Sequence, residues 1–297
     1  MTTMTSNSKP SSGMAGAGRR ALQWRLLLLW IAVLLIPTAM LTVPLWQILS
    51  DQLDHSLQAA DIAQHMSLNA ANDLMLSMTY DGGGIKSISM LAVVFGLSAM
   101  PFLNGAVVTA VRSAEVPGFA ALIQGGLVEY WRMLRMMIVS LLPLGVAIGI
   151  GSAASDAAEK YGQHAILPSS ADHVCLLANV LLAVLMILAL ATVDAGRAQF
   201  AISTRKRSAW KAWWRGCKSI AKRPMATLGS YVGLTVAGAI VFAVFGWLRI
   251  NVPHVSTIGF IVGLVLTQLA AATLVWMRGA RLFALADIAK AQAEASY

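Results

Sequence analysis

An all-α integral membrane bundle of about six transmembrane helices, with interfacial amphipathic helices on its cytoplasmic side, is the fold class this sequence predicts. Three observations carry the prediction. First, 58% of the 297 residues are hydrophobic and only 12% charged, with a mean hydropathy of +0.69. Soluble domains carry about 25% charged residues. Second, six runs are long and apolar enough to span a bilayer. Third, Lys and Arg fall almost entirely on one side of those runs.

The runs cover residues 26–48, 87–111, 134–153, 174–193, 225–248 and 258–277. Each supplies roughly 20 residues, enough to cross a ~30 Å hydrocarbon core at about 1.5 Å per residue. Arg135 is the one charged side chain inside these limits. The first run follows a basic flank of Arg19, Arg20 and Arg25. It is far longer than a signal-peptide core and no small-residue cleavage site follows it, so it reads as an uncleaved anchor. Residues 1–18, rich in Ser, Thr, Gly and Met, are expected to be disordered. Residues 19–285 form the membrane domain, and residues 286–297 are expected to be a cytoplasmic tail.

Six spans put both termini on one side. That side holds 19 of the 22 Lys and Arg residues, and the other holds Lys86, Lys160 and Arg249. The positive-inside rule then makes both termini cytoplasmic, as in a multipass protein of a bacterial inner membrane. Cys175 and Cys217 fall on opposite sides of the bilayer in this topology and cannot pair.

Between the fourth and fifth runs lies a basic, tryptophan-rich segment. Read as a helix, it aligns Trp210, Trp213, Trp214, Cys217, Ile220 and Ala221 in one apolar stripe. Lys211, Arg215, Lys218 and Lys222 form a basic stripe beside it, and Pro224 ends the helix. Basic residues among aromatics also suit nucleic acid, but a segment tethered by spans at both ends reads as a lipid interface. The expected partner is anionic lipid on the cytoplasmic face, not nucleic acid; docking on a membrane-protein partner is the alternative.

The segment between the second and third runs has the same plan. Phe119, Leu122, Ile123, Gly126 and Tyr130 form a stripe followed by Arg132, and a shift of 91 residues superimposes Gly125 on Gly216. Residues 87–153 and 174–248 thus read as a parallel repeat.

Asp194-Ala195-Gly196-Arg197, the basic Trp-containing helix and the following KRPMATLGSY stretch resemble uncharacterised bacterial multipass inner-membrane proteins. That group is loosely similar to the membrane domain attached to some glycerophosphodiester phosphodiesterases. The resemblance covers about residues 87–285 and rests on short motifs. It implies an inner-membrane protein of six or so helices and carries over no activity, because the soluble domain where that chemistry resides is not in this chain.

Catalytic signatures are missing. No Walker A loop, nucleophile elbow or paired catalytic carboxylates can be found, and the glycines 82–84 are not followed by GK[ST]. No cofactor or metal is expected. Asp54, Gln58, Asp61 and His65 share a helical face, but their spacing suits the polar side of an interfacial helix better than a metal site. Asn104, Asn179 and Gln268 are candidate pathway residues, with helix–helix hydrogen bonding as the simpler role. Asp194 and Arg197, three residues apart at a span boundary, read as an ion pair. Pro37, Pro44, Pro101 and Pro143 are candidate kinks, and Gly145/Gly149 and Gly229/Gly233 candidate close helix contacts. The expected function is that of a non-enzymatic membrane protein with lipid-facing cytoplasmic helices, in an accessory or envelope-organising role. A small-molecule or lipid transporter built on the two-hairpin repeat is the alternative.

Overall fold

A computed structural model describes residues 14–53, 83–113, 115–164, 168–202, 208–252 and 257–294. Among the described residues there are helices and no strands. They are α1 (Met14–Ala21), α2 (Trp24–Leu53), α3 (Gly83–Arg112), α4 (Phe119–His164), α5 (Pro168–Ile202), α6 (Ala209–Lys222), α7 (Pro224–Asn251) and α8 (Thr257–Glu294). Six of them, α2, α3, α4, α5, α7 and α8, are long and apolar enough to cross a membrane. Their apolar side chains point outward as well as inward: Ile138, Leu141, Leu177 and Trp247 are exposed. A helix that is apolar all round needs lipid, not water, on its outer face.

The described residues divide into two compact units. One holds Leu28–Met100, and the other Met1–Leu27 with Pro101–Tyr297. In the first, Thr38 and Thr42 donate to the carbonyls of Leu34 and Thr38, and Ser98 donates to that of Val94, each 2.7–2.8 Å away. Such back-bonds satisfy hydroxyls that lipid could not. Pro37, Pro44, Pro101 and Pro143 are all accommodated inside continuous helices.

In the second unit, α4 packs on α5, α5 on α6 and α8, and α7 on α8. Close approach is set by glycines. A Cβ on Gly105 would sit 3.0 Å from the Gly126 carbonyl oxygen, and one on Gly216 would sit 2.5 Å from the Gly196 amide nitrogen. The shift of 91 residues carries Gly105 onto Gly196, so each half has a glycine crossing at the same level. The glycines singled out by sequence behave differently. Gly145, Gly149 and Gly229 face open space, whereas Gly233 does make a close contact: a Cβ there would sit 2.9 Å from the Met14 sulfur of α1. Small-xxx-small spacing is frequent in apolar helices by chance, and packing selects which instances are used.

Three expectations need correction. Residues 14–18 are not disordered: they belong to α1, which lays Ala17, Gly18 and Ala21 against the bundle. Small side chains allow that approach, and Trp276 Nε1 donates to the Gly18 carbonyl at 2.9 Å. The amphipathic segment after residue 119 is not a separate helix. It runs unbroken into the span as α4, because Met133 stands where the second half has Pro224. Proline lacks the amide proton and drives the residue before it out of helical geometry, and Arg223 sits at φ −140°, ψ 70°. Finally, the segment read as a tail from residue 286 continues α8 as far as Glu294, and there Gln292 exchanges hydrogen bonds with Ser219 of α6.

Candidate functional site

Most basic residues of this unit, though not Lys160 and Arg249, lie near the C-terminal ends of α3 and α5, along α6, in the first half of α4 and in the second half of α8, which together define the basic end. The helix α6 lies there. Ser208 caps it, its Oγ accepting from the Lys211 amide at 3.4 Å. The face α6 buries is Ala209, Ala212, Gly216 and Ser219, not the tryptophan stripe. These small residues let its backbone touch α5 at Gly196. Trp213, in the middle of the expected lipid-facing stripe, turns inward and donates from Nε1 to Thr192 Oγ1 at 3.2 Å. Of the three indoles in the stripe, one therefore turns to the bundle and two stay outside it, because the face packed on α5 is built from two alanines, a glycine and a serine.

Trp210 and Trp214 remain outside, 51% and 53% exposed. With Lys211, Arg215 and Lys218 they line an open groove of about 470 Å³. The Trp210 ring leans on Trp213, with centroids 5.0 Å apart, so an inward-anchored indole holds an outward one. One guanidinium nitrogen of Arg215, Nη1, is buried without a hydrogen-bond partner among the described residues. Cys217, half-buried beneath this face, has its thiol pKa pushed up by burial. Chemically, the groove offers apolar walls and unpaired cationic donors.

Two polar clusters stand behind α6. In the first, Glu129 of α4 is almost wholly buried, and its carboxylate accepts from Arg112 at 3.0 Å and from Arg132 at 2.7 Å. Arg112 also donates to the Phe200 carbonyl at 2.9 Å, and Arg132 lies over the Phe200 ring at 4.7 Å. Phe200 is in the last turn of α5, where carbonyls lack helical partners, so Arg112 caps α5 from a neighbouring helix. In the second cluster, Arg197 donates to Asp194 at 2.7 Å. Asp194 faces the Tyr231 hydroxyl of α7 and Arg278 of α8. Arg281, 7% exposed, donates to Tyr231 Oη at 2.9 Å and stacks over its ring at 4.7 Å. Arg197 and Arg278 thus act on the Asp194 carboxylate, and Arg281 joins the cluster through Tyr231.

Glu129, Tyr231, Arg278 and Arg281 escaped the sequence reading as site residues. The Glu129/Arg132 spacing of three was a legible signal for an ion pair; the meeting of Tyr231 with Arg281, 50 residues on, was not. Asn104 is on α3, Asn179 is exposed on α5 and Gln268 is half-buried on α8, and none lines the grooves described here. Asp54, Gln58, Asp61 and His65 lie outside the described residues. Lys222 ends α6, exposed, beyond the groove. Comparison of the chain with known protein families, curated proteins and solved structures finds no match.

Proposed function

We propose that this is a non-enzymatic multipass protein of a bacterial inner membrane whose α6 docks its cytoplasmic face on anionic lipid, in an accessory or envelope-organising role. The observation that supports it is the division of α6 into two faces. One is locked onto the bundle through Gly216 and Trp213, and the other presents Trp210 and Trp214 beside Lys211, Arg215 and Lys218. Indoles at headgroup depth with snorkelling cations are what an interfacial helix needs. Each basic group near an anionic surface contributes about 1 kcal/mol. The resemblance to bacterial multipass proteins fits this reading and adds no activity to it.

The test uses a variant retaining only Trp210 and Trp214. In reconstituted bilayers, headgroup-located quenchers should quench it more strongly when anionic lipid is present. Replacing Lys211, Arg215, Lys218 and Lys222 with Gln should remove most of that dependence. Salt should weaken it in the parent, since the screening length is about 8 Å at physiological ionic strength. Equal quenching in neutral and anionic bilayers would sink the lipid reading and favour a protein partner.

The orientation has its own test. A reporter active only in the cytoplasm should work when fused at Ser208 or after Tyr297 and stay silent at Asp81. Activity at Asp81 overturns the six-span topology with cytoplasmic termini.

A further inference from the structure

We propose that the groove bounded by α1, the first turn of α2, α7 and α8 is a binding site for one phospholipid, with an acyl chain along its floor and the phosphate at Arg19. This site is separate from the α6 face and does not depend on it.

The groove follows from how α1 is held. Arg20 pairs with Asp287 and lies over Phe283, while Gly18 receives the Trp276 indole. These contacts fix one side of α1 on α8. Met14, Ala15 and Arg19 of α1, with Leu22 just beyond it, line a space shared with Gly233, Leu234 and Ala237 of α7; Met14 closes on Gly233, where a Cβ would sit 2.9 Å from the Met14 sulfur. A space of about 440 Å³ remains. It meets a second space of about 360 Å³ at Leu22 and Trp276, which line both. The second space continues past Leu27 to Val241, Phe245 and Leu269. Its one hydroxyl, on Thr273, is satisfied by the Leu269 carbonyl of its own helix. Water would find no polar partners there, so the occupant must be apolar.

Length and charge identify that occupant. From Gly233 to Phe245, α7 lines the groove over about 18 Å at 1.5 Å per residue. That is close to half of a ~30 Å hydrocarbon core, the depth of one leaflet. The only charged residue on the lining is Arg19, at the end nearest the basic end of the bundle. Arg19 is exposed and has no ion-pair partner among the described residues, while the adjacent Arg20 is paired. A slot one leaflet deep, apolar along its length and cationic at its mouth, has the polarity of a single phospholipid.

The experiment is native mass spectrometry of the full chain purified in mild detergent and supplied with dioleoyl phosphatidylglycerol. The parent should retain one lipid per chain. Arg19→Gln should lower retention about fivefold, the factor that about 1 kcal/mol per basic group corresponds to. Ala237→Trp, which fills the upper space, should abolish it, and Ala272→Phe in the lower space provides a second filling variant should the first fail to fold. Leu177→Trp, on the exposed surface of α5, should change nothing, and neither should the four Gln substitutions on α6. Equal retention by the parent and a folded filling variant, or by the parent and Arg19→Gln, overturns the assignment.

Discussion

Gly216→Val detaches α6 from α5. The new Cβ would lie 2.5 Å from the Gly196 amide nitrogen and 2.8 Å from the Ala195 carbonyl carbon. Both are backbone atoms that no rotamer change can move, so the helices must separate. Overpacking of this kind costs about 1–3 kcal/mol, which raises the undocked fraction about five- to 150-fold. Cys217 reports the change. It is half-buried next to the contact, and burial holds its thiol pKa up, which suppresses the reactive thiolate at neutral pH. Once α6 lifts, the thiol pKa falls back and a maleimide labels Cys217 faster. With Cys175 replaced by Ser, labelling in detergent at neutral pH should accelerate by the factor above. Gly145→Val is the matched control, since a Cβ at Gly145 meets open space. Unchanged Cys217 reactivity in Gly216→Val would show that the glycine crossing does not hold α6.

The second large effect is expected at Glu129. Its carboxylate is 4% exposed and takes both Arg112 and Arg132. Glu129→Gln removes the negative charge and leaves two buried or half-buried guanidinium groups facing each other. Removing one partner of a buried ion pair costs about 3–5 kcal/mol. Three helices should loosen together, because Arg112 also caps α5 at Phe200. The measurement is denaturant-induced unfolding of the purified protein, alongside Lys218→Gln, an exposed change expected to stay within about 0.5 kcal/mol of the parent. A double-mutant cycle with Arg112→Gln should give a coupling of about 0.5–3 kcal/mol. A loss below about 1 kcal/mol for Glu129→Gln would mean that water or lipid phosphate reaches the arginines and that the triad is not a buried clamp.

Much of this architecture was legible because bilayer physics acts on composition. A helix in hydrocarbon must be apolar over about 20 residues whatever its neighbours are. The six expected runs therefore fall inside α2, α3, α4, α5, α7 and α8. Pro224 was legible as a break for a local reason, and the absence of proline at Met133 explains why the companion segment has none. The face that α6 buries was not legible. Tryptophans and small residues both repeat at helical spacing, and only the shape of α5 decides between them.

The sequence by itself determined that the chain builds six helices long and apolar enough to span a membrane, and where the apolar core of each lies, though α4, α5 and α8 extend well beyond those cores. Each of those properties depends on residues close together in the chain. The tertiary structure alone decided which glycines carry helix crossings, that Trp213 turns inward while Trp210 and Trp214 stay out, that Glu129 is clamped by two arginines, and that Arg281 meets Tyr231. It also left a groove beside α1 lined by Leu22, Ala237 and Trp276. These outcomes depend on how surfaces from distant parts of the chain fit. Hydropathy carries no shape, so a lipid-facing side chain and a helix-facing one look alike until the helices are packed.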